Sequence, residues 1–349
     1  MDQLFFIGRG RVEWRDIPEP DLVDASDALV RPIAVATCDL DTMLVHGDAP
    51  FQGPFPLGHE GVGEVVAVGA DVASVRIGDR VIIPFQVSCG TCSRCVRGRT
   101  AHCEATNPGA MYGLEPFGGP WGGFFSDAVR VPWADHMLVQ LPDGVDPLAV
   151  ASLSDNICDG WRTVAPYIED PPTTRILIVG GGDVAPSIAC YSIAIAKAFG
   201  VAEVDFLDIG EPSSAGAGKA ERLGANVITN PDDVQRNSYT ITVCSRTDIA
   251  AMHLALRATE PDGTCVVNTV FFQDDVPLPM FSMYTSGIRL VTGLVNARSV
   301  IPRPLQLIVD GKLEPESITD EVVEWERAGE ALVAQPQKLV FHRPALATP

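Results

Sequence analysis

Residues 176–187 read ILIVGGGDVAPS and place a glycine-rich turn between an apolar strand and the start of a helix. Gly180, Gly182 and Ala185 stand on a GxGxxA frame in this turn. Glycines let the main chain come close to a pyrophosphate, which the free N–H groups at the start of the helix can bind. The frame alone is a weak signal, but its strand–turn–helix setting predicts a dinucleotide-binding turn of a parallel sheet.

The chain beyond this turn alternates between helical patterns and short apolar runs, as expected for buried parallel strands. A helical stretch runs to Phe199. The further strand candidates are VDFLD (204–208), NVIT (226–229), TITVC (240–244), TCVVNTV (264–270) and IRLVTGLV (288–295). Together with the first run they make six strands, which predicts a doubly wound, Rossmann-type domain over residues 156–295.

Asp208 closes the second predicted strand, at about the separation expected for the acid that hydrogen-bonds the ribose hydroxyls of NAD. A 2′-phosphate would meet this carboxylate, and no arginine follows immediately to neutralise it. We therefore expect NAD to be preferred over NADP. The alternative is that Asp208 merely ends its strand.

Upstream of residue 156 the pattern changes to short valine-rich strands separated by turn residues, as in GVGEVVAVGADVASVRIGDRVIIP at 61–84. This pattern predicts a β-rich, barrel-like domain over residues 1–155. Residues 296–349 contain a predicted helix near 301–310 and a final strand, QKLVF, which we expect to rejoin this first domain. The predicted fold class is therefore α/β, with two domains.

Four of the nine cysteines lie within CGTCSRCVRGRTAHC at residues 89–103. Cys89, Cys92, Cys95 and Cys103 offer soft thiolates, and four of them satisfy the closed tetrahedral shell of a structural zinc. An iron–sulfur cluster or redox-active thiols are the alternative. The clustering suits metal binding in a reducing compartment better than a disulfide framework.

Charge and hydropathy exclude several classes of partner. The net charge of −20 would repel phosphate backbones, and the 25 Lys and Arg residues form no basic block, so we expect no binding to nucleic acid or to an anionic membrane. The first residues do not follow the pattern of a signal peptide, and no apolar run approaches about 20 residues. These features predict a cytoplasmic protein.

Three motifs together carry a family resemblance: GHEGVGEVVAVG at 58–69, the cysteine cluster and the glycine-rich turn. With them the chain resembles the zinc-dependent medium-chain dehydrogenase/reductase (alcohol dehydrogenase) family over nearly its whole length. The resemblance implies a GroES-like catalytic domain beside the Rossmann domain. It also implies a second, catalytic zinc with Cys38 and His59 as its first two ligands. Three protein ligands leave one coordination position for a substrate oxygen.

The third ligand implied by the resemblance is Asp155, five residues before the glycine that opens the next helix in SLSDNICDGWRTV (152–164). Cys158, a softer donor, Asp159 and an incomplete site are the alternatives. The activity implied is hydride transfer between NAD(H) and an alcohol, aldehyde or ketone. Such enzymes are commonly homodimers or homotetramers.

Family positions also imply roles around the metal. Glu60 corresponds to a carboxylate beside the zinc that can exchange in as a transient ligand. Asp41 corresponds to an acid that orients the metal-binding histidine, although a solvated acid at a helix start is the alternative. Phe85 corresponds to an aromatic wall of the substrate pocket. The main chain near Val267 and Val295 is expected to touch the nicotinamide half of the cofactor.

One part of the family pattern is missing. Many relatives pass the alcohol proton through a Ser or Thr and a His where this chain has Leu40, beside the substrate pocket, and Met43. Neither side chain can relay a proton. Either His46, Asp39 or a water completes the relay, or the reaction needs none, as in reduction of an activated C=C or C=N bond. A third reading is a zinc- or nucleotide-binding protein without catalysis.

Overall fold

The structure is a computed structural model that describes residues 1–47, 49–181, 186–209, 215–334 and 338–346. The chain divides into two compact units. One consists of Met1–Cys158, Val295–Gly311 and Thr319–Pro349, and the other of Asp159–Leu294 and Lys312–Ile318.

The strands and helices alternate irregularly along the chain. The strands are β1 Asp2–Gly8, β2 Arg11–Asp16, β3 Ala28–Ala36, β4 Phe55–Pro56, β5 Glu60–Val68, β6 Arg80–Ile83, β7 Val129–Val131, β8 Val139–Gln140, β9 Arg175–Gly180, β10 Glu203–Asp208, β11 Asn226–Ile228, β12 Tyr239–Cys244, β13 Thr259–Val267, β14 Arg289–Thr292, β15 Glu321–Glu324 and β16 Leu339–His342. The helices are α1 Asp39–His46, α2 Ser93–Val96, α3 Glu115–Gly118, α4 Ala134–Met137, α5 Pro147–Val150, α6 Asn156–Val164, α7 Ser187–Ala198, α8 Ala215–Arg222, α9 Ile249–Ala258, α10 Met280–Ser286, α11 Ala297–Val300, α12 Pro302–Val309 and α13 Ala328–Ala334.

The first unit is built on two sheets. A small one has the order β2-β1-β4, and a larger one runs β15-β16-β3-β5-β6-β8, with β7 also paired to β3. The antiparallel register of β3 and β5 sets Ala36 opposite Glu60. On its other side, β3 pairs with β16 so that Val340 faces Ala36. The end of β3, the start of β5 and the start of β16 therefore meet at one place in the sheet.

The second unit contains a parallel six-stranded sheet with the order β11-β10-β9-β12-β13-β14. Counted from β9, this is the 3-2-1-4-5-6 order of a doubly wound sheet, which confirms the fold class predicted from the sequence. The run Ile176–Val179 is fully buried at the centre of the sheet.

Two of these strands differ in extent from the sequence patterns. β13 begins before residue 264 and ends at Val267, which pairs with Thr292, the last residue of β14. The next residue, Gly293, has a φ of 137°, which is outside the range of strand backbone for an L-residue. None of the helices in the described ranges is both long and apolar enough to cross a membrane.

Candidate functional site

A buried cluster in the first unit brings together three side chains from separate segments: Cys38, His59 and Asp155. Cys38 is the N-cap of α1, His59 immediately precedes β5, and Asp155 lies between a 3₁₀ turn and α6. The sulfur, imidazole and carboxylate donor atoms all lie within 4.8 Å of one another. One oxygen, Asp155 Oδ2, is 3.3 Å from Cys38 Sγ and 3.6 Å from His59 Nε2.

Asp41 serves the same cluster from the first turn of α1. Its Oδ2 accepts a hydrogen bond of 2.9 Å from the Cys38 main-chain N, which closes the capping box of the helix. Its Oδ1 is 3.7 Å from His59 Nδ1, and neither of these two atoms has a hydrogen-bond partner among the described residues. Asp41 is 1% exposed, so its carboxylate faces the imidazole and not solvent.

Three further side chains form a connected network behind the cluster, and two of them, Asn156 and Lys338, were missed in the sequence. Glu60 accepts from the Asn156 main-chain N at Oε1 (2.9 Å) and from Lys338 Nζ at Oε2 (2.8 Å). The Asn156 carboxamide donates from Nδ2 to Cys38 Sγ (3.2 Å) and to Asp155 Oδ2 (3.1 Å). Its Oδ1 accepts from Lys338 Nζ (3.0 Å).

All three members of this network are completely buried. Lys338 lies just before β16 and also donates to the main-chain oxygen of Thr37, at the end of β3. In the sequence, the only signal for Asn156 is its place next to Asp155. Lys338 is a lone lysine before an apolar strand, and nothing in that pattern distinguishes it from a solvated one.

Burial and neighbouring carboxylates shift the pKa values of the groups in this cluster. Burial, and then the carboxylates of Asp155 and Glu60, raise the pKa of the Cys38 thiol well above its usual range. Burial also raises the pKa of Glu60 to about 7, although Lys338 opposes the rise. Burial lowers the pKa of His59, but the neighbouring carboxylates, Asp41 first, outweigh it and bring this pKa to about 9.

A bound divalent cation would oppose these shifts. It favours the thiolate form of Cys38 and the neutral form of His59, and it neutralises the negative charge of Asp155. Sulfur, nitrogen and oxygen donors in one buried cluster are the ligand types that zinc takes. Three protein donors match the ligand count of a catalytic zinc site, which leaves one position open. The residues present therefore fit the ion.

The other side chains named from the sequence lie around this cluster or outside it. The ring centroid of Phe85 is 5.9 Å from that of His59. Leu40 donates its main-chain N–H to Cys38 Sγ at 3.5 Å, and its side chain is partly buried. Cys158 donates its thiol to the Leu153 carbonyl at 3.0 Å, and the carboxylate of Asp159 binds Arg162 Nε. Neither alternative third ligand belongs to the three-residue cluster.

The four cysteines between β6 and β7 form a second group, with their sulfur atoms within 4.8 Å of one another. Main-chain N–H groups point at the sulfurs: that of Cys92 donates to Cys89 Sγ at 3.3 Å, and that of Cys89 donates to Cys103 Sγ at 3.3 Å. The N–H groups of Glu104 and Cys95 lower the pKa of Cys92 to about 6. Burial, by contrast, raises the pKa of Cys95 to about 12. Four sulfur atoms that converge in this way fit a four-cysteine metal site.

The glycine-rich turn lies at the carboxyl ends of two neighbouring strands in the second unit. Gly180 ends β9 opposite Asp208, which ends β10 and is 2% exposed. Gly181 has a φ of 87° and leaves no room for a Cβ, which would overlap with Asp208 Oδ1. Gly182 and Ala185, the other two positions of the predicted frame, lie outside the described residues.

Arg246, which follows β12, reaches the same strand ends and was not found in the sequence, where only the residues directly after Asp208 were considered. Its Nη1 donates to the carbonyl of Ile209 at 2.9 Å and to that of Gly181. Val267 is the last residue of β13 and Val295 follows β14; both are buried. Val267 belongs to the second unit and Val295 to the first.

Comparison with known proteins gives a consistent set of similarities. Residues 24–143 match the family model described as an alcohol dehydrogenase GroES-like domain. An alcohol dehydrogenase of Geobacillus stearothermophilus is 28% identical over 87% of both chains. A probable zinc-binding alcohol dehydrogenase of Mycobacterium tuberculosis is 27% identical over 89% of this chain and 79% of its own. The solved alcohol dehydrogenase of a Thermus species superposes with a TM-score of 0.87 at 26% identity, covering 98% of this chain and 99% of that one.

Proposed function

Because the chain belongs to the zinc-dependent medium-chain dehydrogenase/reductase family of alcohol dehydrogenases, we propose that it transfers hydride between NAD(H) and a small alcohol or carbonyl compound at the Cys38, His59 and Asp155 cluster. The chain is a zinc-dependent oxidoreductase of alcohol or carbonyl substrates that uses a nicotinamide cofactor. The observation that carries the proposed site is the convergence of three different donor types in one buried cluster.

The protein's own residues prepare this site. Cys38, His59 and Asp155 would hold the zinc, and Asp41 would keep the imidazole in the orientation that turns Nε2 toward the cluster. The bound ion supplies a Lewis acid that polarises the substrate oxygen. Phe85 packs beside His59 and is itself 6% exposed, so it excludes water from that side.

The relatives named above are alcohol dehydrogenases, which favours that chemistry over the reduction of an activated double bond. Leu40 nevertheless cannot carry a proton away from an alcohol. In the proposed reaction the proton therefore leaves through another group, for which His46, Asp39 and a water are the candidates. An exchangeable group restored at position 40 should speed alcohol oxidation.

We further propose NAD as the cofactor and a second, structural zinc bound by Cys89, Cys92, Cys95 and Cys103. Asp208 ends β10 with a buried carboxylate that suits two ribose hydroxyls and would repel a 2′-phosphate. Four convergent thiols leave no open coordination position, so this zinc would perform no chemistry. Reduced thiols of this kind also support a cytoplasmic location.

A homodimer or homotetramer is proposed as the assembly, with the second copy bound at the surface formed by α10 and β14. β14 lies at the edge of its sheet and pairs only with β13 among the described strands. On α10, Phe281 is 81% and Tyr284 is 85% exposed, and exposed aromatic side chains of this size are typical of an association surface. A double change of Phe281 and Tyr284 to Glu should shift the mass measured by light scattering to that of the single chain.

Metal analysis combined with a substrate survey tests the catalytic proposal. We expect about two zinc ions per chain in the parent and about one in Cys38→Ser and Asp155→Ala. NADH should appear when NAD⁺ is mixed with members of a panel of primary, secondary and polyhydroxy alcohols, and not with NADP⁺ at equal concentration. Unchanged zinc content in both variants, or consumption of NADH by enals or iminium compounds with no alcohol oxidised, would refute it.

A further inference from the structure

We propose that Asn156 is a positioning residue of the metal cluster, which holds the Cys38 sulfur and the Asp155 carboxylate in ligand geometry while Lys338 fixes the orientation of its carboxamide. This inference rests on the proposed zinc site. It concerns two residues that touch no substrate and act through the donor atoms.

The Asn156 carboxamide turns its nitrogen toward the cluster. Its Nδ2 group donates to both Cys38 Sγ at 3.2 Å and Asp155 Oδ2 at 3.1 Å. These two acceptors are themselves 3.3 Å apart, so one NH₂ group lies against both of them. Asn156 thereby connects a metal-ligand candidate that is distant in the sequence, Cys38, with its own neighbour, Asp155. The two hydrogen bonds restrict the rotation of both side chains.

Lys338 determines which end of the amide faces the cluster. An ammonium group only donates, and here Nζ donates to Asn156 Oδ1 at 3.0 Å. A flipped amide would set its NH₂ group against the ammonium and its oxygen against the sulfur and the carboxylate. Since all these atoms are buried, water could not relieve either repulsion, and the observed orientation is the only one compatible with the charges.

The same lysine also restrains Glu60. Both carboxylate oxygens of Glu60 are engaged, one by the Asn156 main-chain N and the other by Nζ of Lys338. These two hydrogen bonds hold the carboxylate in place and oppose its movement into the donor set. Lys338 therefore keeps Glu60 out of the donor set while it orients Asn156.

The test measures metal binding and its spectrum, not turnover. Loss of an outer partner of a metal ligand costs about 10- to 100-fold in metal affinity. We expect Asn156→Ala to release one of its zinc ions to a competing chelator at about 10- to 100-fold lower chelator strength than the parent. In the cobalt-substituted protein, the thiolate-to-cobalt charge-transfer band that is absent from Cys38→Ser should shift in Asn156→Ala.

Two matched variants separate positioning from general destabilisation. Ser126 is also fully buried in the first unit, and its hydroxyl donates to the Gly123 carbonyl at 2.8 Å, so Ser126→Ala removes a buried hydrogen bond without touching the cluster. It should keep the zinc affinity and cobalt spectrum of the parent. Lys338→Met retains both Asn156 donors and should weaken zinc binding less than Asn156→Ala, and Lys338→Arg should restore part of the loss.

The results that overturn the inference are distinct from those that overturn the zinc site. A folded Asn156→Ala with parental zinc affinity and cobalt spectrum refutes the positioning role, and so does an equal loss of zinc in Ser126→Ala. If Asn156→Ala does not fold, the same two readouts on Lys338→Met decide: parental values refute the inference. By contrast, a parent whose zinc content and cobalt spectrum are the same as those of Cys38→Ser refutes the zinc site itself.

Discussion

Replacement of Gly181 by Ala should damage nucleotide binding far more than its backbone strain explains. At a φ of 87° an L-residue lowers the free energy of unfolding by about 1 to 2 kcal/mol, and this strain affects the stability of the fold and not the nucleotide site in particular. In addition, the new Cβ would overlap with Asp208 Oδ1 and come within 2.7 Å of the Ile209 main-chain N. The carboxylate at the end of β10 must then move.

The affinity change follows from what Asp208 is expected to bind. Hydrogen bonds to a charged group contribute about 1.5 to 3 kcal/mol, so the displaced carboxylate should weaken NADH binding by about 10- to 100-fold. Titration of NADH fluorescence measures the affinity, and denaturant unfolding measures the stability of the same sample.

Gly224→Ala provides the matched control. Gly224 has the same φ of 87°, but a Cβ there meets only the Lys197 side chain, at 3.5 Å. Because alanine at this φ is strained, the variant should lose about 1 to 2 kcal/mol of folding stability and retain its NADH affinity. If the two variants bind NADH equally well, the reasoning that connects the turn, Asp208 and the nucleotide is wrong.

Three further predictions concern the metals, the relay and pH. Cys92→Ser should lose one zinc per chain and melt at a lower temperature, whereas Cys158→Ser, whose hydroxyl can still donate to the Leu153 carbonyl, should keep its zinc by elemental analysis. Leu40→Ser should raise kcat for alcohol oxidation at saturating NAD⁺; no change or a loss would indicate a reaction that needs no relay at this position. Burial lowers the pKa of His136 from 6.5 to about 4, so the unfolded chain takes up a proton that the native one refuses. Stability to denaturant should therefore be full above pH 6.5 and fall toward pH 4, and His136→Gln should reduce that fall.

The parts of the fold that the sequence predicted are those written in local patterns. Apolar runs such as 176–179, separated by helical or polar spacing, predicted the six-stranded sheet because buried parallel strands exclude polar residues from both faces. Strand ends were less accurate, since β13 ends at Val267 and β14 at Thr292, short of the predicted residues 270 and 295. Cys89 to Cys103 were found because their spacing is local as well.

Residues that work through distant contacts could not be found this way. Lys338 lies 278 positions from Glu60 in the sequence, and its burial depends on the register by which β16 meets β3. Arg246 reaches Ile209 across 37 positions through the order of the parallel strands. Contacts between residues so far apart produce no periodic pattern in the sequence, and a lone lysine or arginine is most often a solvated surface residue.

The pairing of β16 with β3 also determines how late in synthesis the surroundings of the Cys38, His59 and Asp155 cluster can be completed. Asn156 and Lys338 are 182 positions apart, so at 5–20 residues per second a ribosome needs roughly 9 to 36 s to add the lysine after the asparagine. During that interval the nascent chain already contains Cys38, His59 and Asp155 but lacks Lys338, whose ammonium group holds Asn156 and Glu60. At the proposed site, zinc acquired on the ribosome would therefore bind before the Lys338 ammonium can orient Asn156.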